Sequence, residues 1–270
     1  RMMVFSPCYQ QKGILSNPRI QTYLIVPLAL LFIQLFGHYG LFLGHTFFVE
    51  DDVAGTLSQS AGNISSMGWR PDLGLGVSYF HADPGAQHVW SLLRWWHQLF
   101  TDQILAYNIS VFIFLWLIAL THHLLLKRVF PELHPIILIV LASLVSFGSL
   151  RYEFFFIRHH AIITIAAPII ALIVLEHLER PSARQYFLYS LTLFFTLFLG
   201  SATSILFTFM FSGIFFLSYI LYHWKTLEIK IIWTKFIRFV SLNFFSGLSV
   251  ILLGAWIFYS IFLESQILEY

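Results

Sequence analysis

The sequence predicts an all-α integral membrane protein with about seven transmembrane helices, its N-terminus in the cytoplasm and one long extracytoplasmic loop. Three observations predict this. Charged residues make up 10% of the 270-residue chain and hydrophobic ones 58%, whereas a water-covered surface needs roughly a quarter of its residues charged. Uncharged runs recur along the chain at bilayer length. The charged residues between those runs sort by sign from one side to the other. The 30 phenylalanines suit helices that meet lipid and one another. A net charge of +2 gives no case for a nucleic-acid partner. The single cysteine, Cys8, excludes an internal disulfide and a CxxC metal site.

A spanning helix needs about 20 apolar residues. The runs that supply them are 23–48, 104–126, 136–150, 161–175, 186–222 and 239–263, of which 136–150 and 161–175 are short. The first run starts too far in and is too long for the h-region of a signal peptide, so no cleavable signal is expected. The stretch 186–222 holds 37 residues without a charge. As one helix it would measure about 55 Å, against a hydrocarbon core of about 30 Å. It is therefore read as a hairpin turning at Gly200-Ser201-Ala202-Thr203-Ser204, which brings the count to seven.

With the N-terminus inside, Arg1, Lys12, Arg19, Lys127, Arg128, Arg180, Arg184, Lys225, Lys230, Lys235 and Arg238 are cytoplasmic, 11 of the 15 basic residues. Outside fall Glu50, Asp51, Asp52, Asp72, Asp83, Asp102, Glu153, Glu264 and Glu269, 9 of the 13 acids. This is the asymmetry of the positive-inside rule. Making 186–222 a single pass would move Lys225 to the outside with Lys230, Lys235 and Arg238, and spoil it. The whole of 1–270 reads as one transmembrane domain without an internal repeat. Within it, residues 224–238 alternate Ile, Trp and Phe with Lys and Arg, the pattern of a cytoplasmic interfacial helix.

Residues 49–103 form the first outer loop. It opens on Glu50-Asp51-Asp52 at the mouth of the first span, where three adjacent acids repel unless a cation offsets them. The Gly- and Pro-containing stretch Trp69-Arg70-Pro71-Asp72-Leu73-Gly74-Leu75-Gly76 predicts a tight, irregular loop. Val89, Leu92, Leu93, Trp96, Leu99 and Phe100 then recur at helical spacing with polar residues opposite. This is a surface helix that either anchors the loop at the interface or shapes an access groove for a lipid-linked substrate.

The second outer loop, 151–160, reads Arg151-Tyr152-Glu153-Phe154-Phe155-Phe156-Ile157-Arg158-His159-His160. Ionisable residues at membrane depth are costly and mark function unless they snorkel and pair locally. Glu153 could ligate a metal or act as acid or base, and Arg151 or Arg158 could hold a phosphate. As a helix, the segment could not bring Arg151, Glu153 and Arg158 to one face, so part of it is expected to be irregular. Haem is not expected: it would need facing histidines, and His38 or His45 shares only rough depth with His160.

These features together resemble the GT-C membrane glycosyltransferases. The points of likeness are a first span with an acidic pair at its outer end, a long first outer loop with surface helices, and an acid in a second outer loop. The Trp69 to Gly76 stretch resembles the YfhO-like branch. The likeness covers nearly all of the chain in layout and is short in motif. It implies transfer of a sugar from a polyprenyl-phosphate donor on the extracytoplasmic face of a bacterial cytoplasmic membrane. By position, Asp51 or Asp52 would serve as general base or as ligand of a divalent metal, Mg or Mn, with Glu153 as the second-loop acid and a further metal ligand. Arg70, Arg151, Arg158 and His159 would neutralise the lipid phosphate. Two departures stand out. The second loop has Tyr152-Glu153-Phe154 in place of Asp-x-Asp, and the relatives usually continue past seven spans. The expectation is thus an enzyme, a portion of one, or a relative that kept the fold without the chemistry. A non-catalytic subunit of a larger membrane complex is the alternative. A transporter comes third, because Asn108, Asn243 and the 200–204 turn are the few polar candidates at mid-span.

Overall fold

The computed structural model describes residues 24–43, 69–70, 77–78, 99, 103–156, 158–199 and 202–268. Among them are seven α-helices: α1 (Val26–Gly37), α2 (Gln103–Val129), α3 (Pro135–Phe156), α4 (Arg158–Glu179), α5 (Ala183–Leu199), α6 (Ala202–His223) and α7 (Ile229–Leu268). A 3-10 turn, Tyr39–Leu43, follows α1. The one β feature among these residues is a two-residue ladder across the Gly/Pro stretch of the first loop. There β1 (Trp69–Arg70) runs antiparallel to β2 (Val77–Ser78), with Trp69 opposite Ser78 and Arg70 opposite Val77. The acidic triplet and the surface helix expected over 89–100 lie outside the described residues, Leu99 apart.

Four helices are long and apolar enough to cross a membrane, with spans Asn108–Val129, Ile162–Glu179, Leu206–His223 and Ile229–Ala255. Val26–Gly37 and Pro135–Gly148 are shorter apolar segments. The chain is a multi-pass membrane protein. Its exterior agrees: Phe32, Phe36, Phe207, Leu217, Leu221, Phe244 and Leu252 are all exposed, an arrangement stable in lipid and poor in water.

Local chemistry sets where the helices stop. The long uncharged run is divided into α5, which ends at Leu199, and α6, which begins at Ala202, so Ala202, Thr203 and Ser204, expected in the turn, are helical, while Gly200 and Ser201 lie outside the described residues. Pro135 opens α3, where its missing N–H is not needed, and His134 Nδ1 accepts from the Ile136 amide at 3.3 Å. Ser182 precedes α5 three residues ahead of Gln185, the spacing of a capping box, and its hydroxyl donates to Gln185 Oε1. The segment predicted as an interfacial helix over 224–238 is, from Ile229 on, the first turns of the 40-residue α7. No proline or glycine separates those turns from the apolar body that follows, so nothing interrupts the backbone ladder.

Two cores hold the bundle. Val26, Leu30, Ala119 and Ala142 join α1, α2 and α3. Ala166, Ile170, Val174, Leu178, Tyr189, Leu193, Phe216, Leu242 and Val250 join α4 to α7. Fully buried Ala119, Ala142 and Ala171 let helix backbones approach closely, which is how helices associate where lipid removes the hydrophobic drive. The helices alternate in direction. Tyr219 of α6 meets Lys235 of α7 while Phe209 faces Gly247, so these two run antiparallel. Arg128 at the end of α2 pairs with Glu179 at the end of α4, so these two finish together.

Candidate functional site

The alternation divides the predicted chemistry between two ends. At one end, α2, α4 and α6 finish and α3, α5 and α7 begin. Lys127, Arg128, Arg180, Arg184, Lys225, Lys230, Lys235 and Arg238 all belong to it. Two of these cations close off a helix terminus: Lys235 Nζ and Arg238 Nη1 donate to the Leu178 carbonyl of α4, at 3.2 and 3.0 Å. A cation on the last carbonyls of a helix also offsets its dipole. Lys235 donates further to the Tyr219 hydroxyl at 3.0 Å.

At the opposite end α3 gives way to α4. Arg151 and Glu153 lie in the last turns of α3, and Arg158 and His159 open α4. Only Ile157, outside the described residues, stands between the two helices. The segment expected to be partly irregular is therefore helical on both sides of that position. Two arginines, a carboxylate and an imidazole thus fall within nine consecutive positions at one end of the bundle. Their side chains lie outside the described part of the structure, as do those of Arg70 on β1 and the whole of Asp51 and Asp52. Among the described residues no three His, Cys, Asp or Glu side chains gather as a metal site would require.

Close below this end, between α1, α2 and α3, runs a polar seam that sequence reading missed. Ser146 donates to the Leu115 carbonyl at 2.7 Å and lies 3.3 Å from Gln34 Oε1; Gln34 and Ser146 are both fully buried. Gln34 Nε2 and His38 Nε2 are buried without a hydrogen-bond partner. The His38 ring packs against Phe147, with centroids 5.0 Å apart. Gly37 makes this contact possible, since a Cβ there would stand 2.5 Å from Phe147 Cε1. The signal in the sequence is a lone amide inside Leu35-flanked apolar residues, with His38 one turn further along the same face.

A second seam joins α5, α6 and α7. The Tyr189 hydroxyl donates to Asn243 Oδ1 at 2.7 Å and stands 3.0 Å from Ser212 Oγ. Tyr186 and Ser241 share a bond of 2.8 Å, and Asn243 Nδ2 donates to the Phe239 carbonyl at 2.9 Å.

No protein-family model matches this sequence, and comparison with curated proteins and with solved structures finds no match either.

Proposed function

We propose that this chain is a GT-C-like glycosyltransferase that takes a sugar from a polyprenyl-phosphate donor on the extracytoplasmic face. The observation that supports the reading is the position of Arg151 and Glu153 in the last turns of α3 and of Arg158 and His159 in the first turn of α4, on either side of the break between the two helices. That break lies at the end of the bundle to which α1 delivers the chain before the acidic triplet. In the proposed chemistry the guanidinium groups bind the donor phosphate and stabilise the charge left on it as the glycosidic bond breaks. A first-loop carboxylate, Asp51 or Asp52, takes the proton of the acceptor hydroxyl. An Mg or Mn ion between Asp52 and Glu153 would share the phosphate charge. Seven passes and a cytoplasmic N-terminus belong to the same proposal. They are supported by the gathering of Lys127, Arg128, Arg180, Arg184, Lys230, Lys235 and Arg238 at the other end of the helices.

The test is transfer of radiolabelled sugar from a polyprenyl-phosphate donor in membranes containing Asp51→Asn, Asp52→Asn or Glu153→Gln. Loss of about a hundredfold or more in one of the two aspartate variants is expected for a general base. Full activity in both aspartate variants would remove the base assignment.

A second reading, a subunit of a larger membrane complex, is favoured by the outer helices. Only 22% of the span Leu206–His223 and 17% of Ile229–Ala255 are buried, against 50% of Ile162–Glu179. Apolar faces this open suit lipid or a neighbouring subunit. Stable copurification with other membrane proteins, together with no sugar transfer by the isolated chain, would favour it.

A further inference from the structure

A cavity of about 510 Å³ opens where α2 and α4 end, lined by Arg128, Leu172, Glu176, Glu179 and Arg180. This volume falls within the range of about 300–1,000 Å³ usual for small-molecule sites. Leu172, Glu176 and Glu179 belong to α4 at positions i, i+4 and i+7, and Arg180, the residue after α4, continues the turn through the bond of its amide to the Glu176 carbonyl at 2.7 Å, so the four lie along one face. That face rises about 12 Å, from an aliphatic side chain inside the span to charged ones at its end. Arg128 and Glu179 pair with each other. The Glu176 carboxylate and the Arg180 guanidinium make no ion pair among the described residues, although they share the wall and both are exposed. Glu176 also falls within the candidate span Ile162–Glu179. An exposed carboxylate at the edge of a membrane with no ion pair of its own is free to take a cationic group from outside the chain.

We propose that this cavity binds the headgroup of an aminophospholipid, with the lipid phosphate on Arg180 and Arg128, the primary ammonium on Glu176, and the start of an acyl chain along Leu172. The lining selects this occupant. With Arg128 and Glu179 paired, Glu176 and Arg180 leave one charge of each sign, so an anionic lipid would leave Glu176 without a counter-charge and a simple cation would leave Arg180 without one. A zwitterion satisfies both signs. A primary ammonium donates hydrogen bonds to a carboxylate, which a quaternary choline cannot do. The cavity's place at the end of two candidate spans puts it at headgroup depth, and Leu172 gives it an apolar floor. The proposal is independent of sugar transfer, which is placed at the other end of the bundle.

The experiment is native mass spectrometry of the purified chain, delipidated and then exposed to equal amounts of phosphatidylethanolamine, phosphatidylcholine and phosphatidylglycerol. The wild type should retain phosphatidylethanolamine about tenfold over either competitor. Glu176→Gln should abolish the preference over phosphatidylcholine, and Arg180→Gln should lower retention of phosphatidylethanolamine and phosphatidylcholine alike. Both side chains are exposed, and unchanged helicity by circular dichroism checks that the variants fold. Equal retention of the three lipids by the wild type, or a preference that survives both substitutions, would overturn the proposal. So would displacement of the lipid by an equal concentration of soluble phosphoethanolamine, since the acyl contact would then contribute nothing.

Discussion

The two polar seams of the bundle are built from similar residues and differ in how far they close. Between α5, α6 and α7, the side chains of Tyr189, Ser212 and Asn243 meet one another, as do those of Tyr186 and Ser241. Between α1, α2 and α3, Ser146 reaches Leu115 and Gln34, yet Gln34 Nε2 is left over. With the one Ser146 hydroxyl hydrogen on the Leu115 carbonyl, turning the Gln34 amide over lets its nitrogen donate to Ser146 Oγ and strands the oxygen instead, so either orientation leaves at least one buried polar atom without a partner. A closed network inside a membrane ties helices together. An open one lowers stability unless something from outside completes it. The open seam is the one beneath the end of the bundle where transfer chemistry is proposed.

The largest effect is expected from Gly37→Ala, which strikes the open seam sterically. The new methyl would stand 2.5 and 2.7 Å from Phe147 Cε1 and Cζ, so either the ring or α1 must move. Overpacking of this kind destabilises by about 1–3 kcal/mol. The measurement is the denaturation midpoint in mixed detergent. Adding Phe147→Leu should restore most of the loss; failure to restore any would show that α1 and α3 do not meet there. A smaller effect is expected in the closed seam. Tyr189→Phe removes one donor and leaves Asn243 Oδ1 without it, at about 1–2 kcal/mol. Asn243→Leu in the same background should add much less than it does alone, because the pair acts as a unit. Full additivity in that cycle would mean that the seam does not work as a network.

The same contrast governs what could be read from the sequence. Helix ends were legible where one residue type decides them. The 37 uncharged residues of 186–222 are too many for a single pass, and they are divided into two helices, α5 ending at Leu199 and α6 beginning at Ala202, three residues earlier than the expected turn allowed. The start of α7 was less legible. Lys230, Lys235 and Arg238 read as a helix lying on the membrane surface. Lys235 and Arg238 instead bind the Leu178 carbonyl of α4, a contact across 57 and 60 residues that no local pattern announces. The seams were illegible for a related reason. Asn243 was visible as a polar residue at mid-span, but its partner Tyr189 lies 54 positions away on another helix. Tyr, Ser and Thr are too common in such spans to single out. Gln34 is a plainer signal, an amide with apolar residues on both sides, but an isolated amide in a span does not announce which helices it will meet. Of the residues named for transfer, the sequence supplies the grouping across the α3–α4 break, while their mutual distances depend on side chains outside the described structure.

The smallest expected change in stability is also the one that best separates the two seams. Gln34→Leu replaces a fully buried amide by an apolar side chain of similar size. In a closed network such a change destabilises, because partners are stranded. Here Ser146 keeps its bond to the Leu115 carbonyl, and the unpaired Nε2 disappears. The expected result is a denaturation midpoint unchanged or slightly raised, within about 1 kcal/mol. If the open seam exists for structure alone, activity should be unchanged too. If it holds a hydroxyl-bearing group of donor or acceptor, sugar transfer should fall through a raised KM at preserved stability, since uniform binding is what is lost. A clear loss of stability would refute the unpaired state of Gln34, and with it the distinction between the seams.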